Sequence, residues 1–229
     1  VKVIVTGSSS FDLLNSTGEA LTGRKNIVTL YPIAISEVKS ILDPYDLQRS
    51  LESFLIYGMY PSVLSAENNQ NKTRLIEEIA HSYLLKDILD FDKEKNSKKI
   101  FDLLRLLAFQ IGSEVSTNEL ATNLDIDKNT VSNYLDLLEK SFVIFRLDGF
   151  SRNLRKEISK MSKYFFYDLG VRNAVISNFN DLATRNDQGQ LWENYILMER
   201  IKHNFYSGIY ANYYFWRTYD KKEIDLIEE

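Results

Sequence analysis

The sequence predicts a mixed α+β chain of the α/β kind, and three stretches of its 229 residues carry that prediction. The opening runs strand, helix, strand. The middle places three helices ahead of a pair of strands, and the end follows a long helix with two further strands. With 44% hydrophobic and 26% charged residues, the chain has the means for a substantial core and a solvated surface.

Taken in order, Val1-Lys2-Val3-Ile4-Val5-Thr6-Gly7 reads as a buried strand running into a polar turn. Ser8-Ser9-Ser10 supplies a helix N-cap for the amphipathic stretch 11–21, which stops at Gly23-Arg24. Residues 26–31 read as a second short strand before Pro32. From 35 to 89 apolar residues recur at helical spacing, with a break at Gly58-Met59-Tyr60-Pro61. The charged stretch 92–99 reads as a link between units.

An apolar helix is predicted over 100–112, then a short helix opened by the capping box of Ser116 and Glu119, then a third from Asp127 to about Lys140. Two helices joined by a tight turn and supported by an upstream helix make a helix-turn-helix. Strands at 142–147 and 163–167 add a hairpin, which makes the unit a winged helix. The hairpin connection over 151–162 is long, a feature common in functional or mobile loops. Beyond Asp168-Leu169-Gly170 come a short helix, a polar loop, a helix over 191–205, and strands at 210–217 and 223–227. Both chain ends read as interrupted, with Val at position 1 and a strand still in progress at Glu229.

The net charge of −4 argues against a chain coated in nucleic acid and leaves room for a local basic face. With no cysteine, disulfides, thiolate metal sites and cysteine nucleophiles are excluded, and His81 and His203 are too far apart in sequence to suggest a zinc pair. No apolar run approaches the ~20 residues of a membrane span, so no membrane partner and a cytoplasmic location are expected. None of the nine glycines precedes a lysine, so the chain lacks the loop that cradles nucleotide phosphates, and no nucleotide is expected to bind it.

The string Gly7-Ser8-Ser9, Gly23-Arg24, Leu30-Tyr31-Pro32-Ile33 and Ser36-Glu37 resembles the end of the core of a prokaryotic AAA+ type ATPase. Tyr57-Gly58-Met59-Tyr60-Pro61 is similar to the Gly-Gly-Tyr/Phe-Pro turn of that family, with Met59 in place of the second glycine. Residues 84–90, Asn153 to Lys156, and Tyr164 to Gly170 are similar to its Lys-Asp, Asn-x-x-Lys and Tyr-Phe-x-Asp-x-Gly elements. The resemblance implies four parts: the end of an ATPase core (1–36), a helical lid region and linker (37–98), a winged helix (99–170) and a partial restriction-endonuclease-like domain (171–229). It also implies that Ser8 is the sensor-1 residue and Arg24 an arginine finger acting on a neighbouring subunit. A helix cap and a solvated arginine remain the alternative readings of these two. ATP and Mg²⁺ would belong to the full-length parent, and its N-terminal part or a neighbouring ATPase subunit would be partners.

DNA is the other expected partner. Lys128, Asn129, Thr130 and Asn133 lie where the second helix of a helix-turn-helix faces a major groove, although Asp125, Asp127, Asp136 and Glu139 surround them. Arg152, Arg155, Lys156, Lys160 and Lys163 against Glu157 give the hairpin connection a local charge of +4, suited to phosphate contact. A protein-docking surface or plain solvated charge is the alternative. A metal-dependent nuclease of the restriction-endonuclease type combines an acid on a helix, an Asp on one strand and Glu-x-Lys on the next. By the resemblance, Glu193 and Asp225 match the first two parts, with Asp225 as the metal ligand, and the Glu-x-Lys strand is missing. The expected function is therefore the regulatory or effector part of an ATPase. A stand-alone winged-helix DNA-binding protein and a nuclease fragment remain as alternatives.

Overall fold

The computed structural model describes residues 4, 6, 26, 28–84, 97–150, 161–218 and 222–229, with backbone alone at 82–84 and 97. The predicted opening strand apart from residues 4 and 6, the first helix with Ser8 and Arg24, the 85–90 element, the start of the charged link, and loop cations Arg152, Arg155, Lys156 and Lys160 lie outside the described residues.

The chain is mixed α+β, as its patterning predicts. Five helical segments precede the sheet: α1 (Ile35–Val38), α2 (Pro44–Tyr57), α3 (Pro61–Leu64), α4 (Asn69–Glu78, continued by a π-helical turn Ile79–Leu84) and α5 (Ser97–Phe109). α2 begins where the local chemistry requires. Asp43 accepts from Tyr45 N and Asp46 N at 2.9 Å, and Pro44 fills the first turn, where no amide partner is needed.

The winged helix follows as α5, β1 (Glu114–Val115), α6 (Thr117–Leu124), α7 (Lys128–Lys140), β2 (Ile144–Gly149) and β3 (Ser162–Phe166). Ser116 Oγ accepts from Glu119 N at 3.4 Å, and Asp127 Oδ1 accepts from Asn129 N at 2.7 Å, so both helices are capped by their predicted N-terminal residues. β2 and β3 pair antiparallel, with Ile144 opposite Phe166 and Leu147 opposite Lys163. After β3 come α8 (Leu169–Val175), a 3₁₀ turn (Leu182–Thr184), α9 (Gln188–Tyr206), β4 (Tyr213–Arg217) and β5 (Glu223–Glu228).

The sheet order is β1-β3-β2-β4-β5, with β4 parallel to β2. The hairpin of the winged helix and the C-terminal strands therefore share one sheet. Side chains alternate across it. Ile144, Tyr164 and Phe166 join the main core with α2, α5 and α7, whereas Leu147, Phe165 and Phe215 pack beneath Leu197, Met198 and Ile201 of α9.

Two of the conspicuous motifs meet in space. Asp168 Oδ2 accepts from Met59 N at 2.7 Å and Oδ1 from Val171 N at 3.2 Å. A Cβ on Gly58, whose φ is +80°, would stand 2.0 Å from Asp168 Oδ1, and one on Gly170 would stand 2.0 Å from Tyr57 O. The turn after α2 and the start of α8 thus pack backbone against backbone, an approach only glycine permits. Asn173 completes the joint by donating to Leu55 O and Ile56 O at 3.0 and 2.8 Å, satisfying carbonyls at the end of α2.

Over its described residues, 26 and 28–31, the second predicted strand is not formed. Residues 28–31 have no strand pairing, and Val28 and Leu30 are 73% and 86% exposed. A short apolar run makes a strand only where a neighbouring strand accepts its ladder bonds, and among the described residues none lies beside it. No helix among the described residues is long and apolar enough to cross a membrane.

Candidate functional site

Two surfaces collect the polar residues that sequence patterning marks. The first is the outward edge of α7. Val131, Tyr134, Leu135 and Leu138 bury one face of this helix, which leaves Lys128, Asn129, Ser132 and Asn133 exposed and Thr130 half-buried. The charge of this edge is nearly balanced. Asp136 is paired with Lys140 at 2.5 Å, and Asp127 is engaged in the N-cap. Glu139, half-buried behind this edge, is pushed up to about 6 by burial together with Asp148 and Asp136, against the pull of Arg146 and Lys140.

The second surface lies where β3, β5 and α9 meet. Lys163 Nζ stands 2.5 Å from Glu223 Oε1, 3.3 Å from Glu193 Oε1 and 3.9 Å from Asp225 Oδ1, above the Phe215 ring at 5.3 Å from its centre. Arg217 extends the network to Glu114 at 3.1 Å and to Glu223 at 4.0 Å. Burial pulls the Lys163 ammonium down, but its bond to Glu223 and the Glu193 and Glu223 charges more than compensate, so its pKa lies above the usual lysine value. Burial raises Glu193, with Asp225 and Glu223 adding to the rise and Lys163 opposing it.

This geometry corrects the expectation for Lys163. Its side chain is only 3% exposed and is turned under α9 into three carboxylates, which leaves it no role in phosphate contact. The physical reason is register. Lys163 sits opposite Leu147 on the sheet face that α9 covers, where an ammonium must find counter-charges. Glu193 and Asp225 are brought together as the nuclease pattern would require, but around an ammonium. Among the described residues no three His, Asp or Glu side chains are placed to hold a metal ion.

Glu223 is the member of this cluster that sequence reasoning missed. Its signal was the Glu223-Ile224-Asp225 alternation, which places both acids on one face of β5. Lys128, Asn129, Thr130 and Asn133 all occur in the N-terminal half of α7, with Thr130 alone half-buried. Ser8, Arg24, Arg152, Arg155, Lys156 and Lys160 lie outside the described residues.

Residues 48–182 match the family described as Domain of unknown function (DUF8612), and residues 188–229 match Domain of unknown function (DUF4143). The uncharacterized protein Rv2008c of Mycobacterium tuberculosis is 25% identical over 230 residues, covering 100% of this chain and 49% of the relative. An uncharacterized protein of Haemophilus influenzae is 25% identical over 98% of this chain and 55% of its own length. The uncharacterized protein MJ1544 of Methanocaldococcus jannaschii is 25% identical over 89% of this chain and 48% of its own length. The chain thus spans about half the length of these relatives. No solved structure matches it. Since the first match covers more than half of its residues, including the whole winged helix, the chain belongs to the DUF8612 family.

Proposed function

We propose that this chain is the effector part of a larger P-loop ATPase of the AAA+ type, that it does not itself bind or hydrolyse ATP, and that its winged helix contacts duplex DNA. The observation that carries the DNA reading is the exposed edge of α7, where Lys128, Asn129, Ser132 and Asn133 line one side of a helix whose other side is buried. Arg152, Arg155, Lys156 and Lys160 follow the same helix-turn-helix in the sequence, between β2 and β3. Cations of a wing position the protein on phosphates, and polar side chains at the start of the recognition helix reach base edges.

The ATPase part of the reading rests on the resemblance of the N-terminal residues and on the C-terminal match, to a family that is commonly the partner of AAA-ATPase-like proteins. ATP and Mg²⁺ would then be bound by the remaining part of the longer protein, and Arg24 would serve a neighbouring subunit, with a cytoplasmic location. The nuclease alternative has less support, because Glu193, Glu223 and Asp225 converge on Lys163.

The test is fluorescence anisotropy of a labelled duplex titrated with the 229-residue chain at several salt concentrations. Binding is expected to weaken steeply with salt. Arg155→Glu with Lys156→Glu should abolish it, and Lys128→Glu should weaken it by roughly tenfold. A parent chain that leaves the duplex unshifted, or a double variant that binds like the parent, overturns the DNA reading.

A further inference from the structure

A segment far from the sheet in sequence is fastened to the helix that also fastens the returning strand of the wing. Residues 31–35 lie along the C-terminal half of α9. Ile35 N donates to Glu199 Oε2 at 2.7 Å, Lys202 Nζ donates to Ile33 O at 3.3 Å, and Lys202 closes on Glu199 Oε1 at 2.9 Å. Ile33 N is held by Met59 O at 2.9 Å. Both charged side chains are nearly enclosed, at 9% and 4% exposure for Glu199 and Lys202. A buried ion pair is a poor source of stability but is demanding about geometry, and here two of its three bonds go to the backbone of a segment more than 160 residues away. The Tyr31 ring adds a stacked contact to Tyr167 at 5.9 Å and an edge contact to Phe205 at 5.2 Å.

Five residues before Glu199 on the same helix, Asn194 grips β3. Its Oδ1 accepts from Phe166 N at 2.7 Å and its Nδ2 donates to Phe166 O at 2.9 Å, while the preceding residue, Glu193, meets Lys163 at 3.3 Å. α9 thus has one set of polar bonds to residues 31–35 and a second set to β3, the strand through which the chain returns from the wing.

We propose that α9 is a coupling helix, whose Glu199–Lys202 latch on residues 31–35 and Asn194 clamp on β3 make the position of that segment and the position of β3 interdependent. Coupling needs an element with a second arrangement. The Tyr195 hydroxyl supplies it: it is buried without a hydrogen-bond partner among the described residues, and its side chain lines the same small cavity as Glu199 and Lys202. Glu199 can therefore exchange Ile35 N for Tyr195 Oη when residues 31–35 are drawn away. On the reading proposed above, this segment would lead toward the remaining part of the ATPase, and the latch would report the state of that part to β3.

The coupling is reciprocal by thermodynamic necessity, and it is measurable in the isolated chain without DNA or nucleotide, so its outcome is separate from that of the reading above. Peptide-level amide hydrogen exchange is followed in residues 31–38, residues 162–167 and, as a control, residues 128–140 of α7. Glu199→Gln should speed exchange at least fivefold in both of the first two peptides and leave the control unchanged. Tyr195→Phe removes the second partner and should slow both. Tyr31→Ala, at a half-buried position outside the ion pair, should speed both and serves if the Glu199 variant does not fold. Acceleration confined to residues 31–38 overturns the coupling, and so does a uniform acceleration of all three peptides, which would make the pair a contributor to stability alone.

Discussion

Among the described residues Lys163 has the densest set of ion pairs. Removing one partner from a buried ion network leaves the others uncompensated, which costs about 3–5 kcal/mol in comparable settings. Lys163→Met should therefore destabilise the chain by about 3 kcal/mol at pH 7 in urea unfolding. The cost should depend on pH. A carboxyl whose pKa is raised in the folded state contributes stability that is complete below its ordinary value and is lost as pH rises through the folded value. Glu193 is such a group, and Lys163 is what opposes its rise. Without the ammonium, the Glu193 pKa climbs further, so the variant suffers most at pH 7 and least near pH 4. A cost that stays constant between those two pH values would remove Lys163 from this role. The cluster was only half legible in the sequence. Glu193 and Asp225 stand out by resemblance, but Lys163 looks like one more cation of a basic run, because nothing local tells which face of β3 will be covered.

At the level of elements, α7 shows what a helix end must tolerate. Glu139 lies in its last turn, where the helix dipole disfavours a negative charge, and burial with Asp148 and Asp136 nearby raises it to about 6 from an ordinary 4.5. Its contribution to stability is full below about pH 4.5 and disappears as pH rises through about 6. Glu139→Gln should accordingly gain about 1 kcal/mol relative to the parent at pH 7, a figure reduced for partial solvent screening, and show no gain at pH 4. Paired urea titrations at the two pH values measure this, and an equal gain at both would assign the effect to packing. The helices and the hairpin were legible because each is written in a local period, 3.6 for α5 and α7 and 2 for β2, with capping residues at the helix starts. Residues 28–31 carry a strand-like run as well, yet a strand is a property of a pair, and the partner is not specified by the run itself.

For the whole molecule, the shared sheet predicts how the chain unfolds. β2 bonds to β3 of the wing on one side and to β4 on the other, and α8 is locked to the end of α2 through Asp168 and Asn173. The winged helix and the C-terminal strands should then lose structure together. Both tryptophans, Trp192 and Trp216, lie in the C-terminal part, while most of the helical signal comes from residues before β2. Denaturation followed by tryptophan fluorescence and by far-ultraviolet circular dichroism should give coincident transitions, and an earlier fluorescence transition would mean that the C-terminal unit is independent. The amino-acid sequence by itself determined the mixed α+β class, the three helices and hairpin of the winged helix, and the exposed polar edge of α7, since all of these follow from periodicity and capping within a few neighbouring residues. Only the tertiary structure decided that Lys163 faces three acids, that Gly58 and Gly170 lie against Asp168 and Tyr57, and that residues 31–35 are held by Glu199 and Lys202. Those contacts join residues from about 30 to nearly 170 positions apart. Such partners are chosen by which faces become buried together, and that is set when the elements pack.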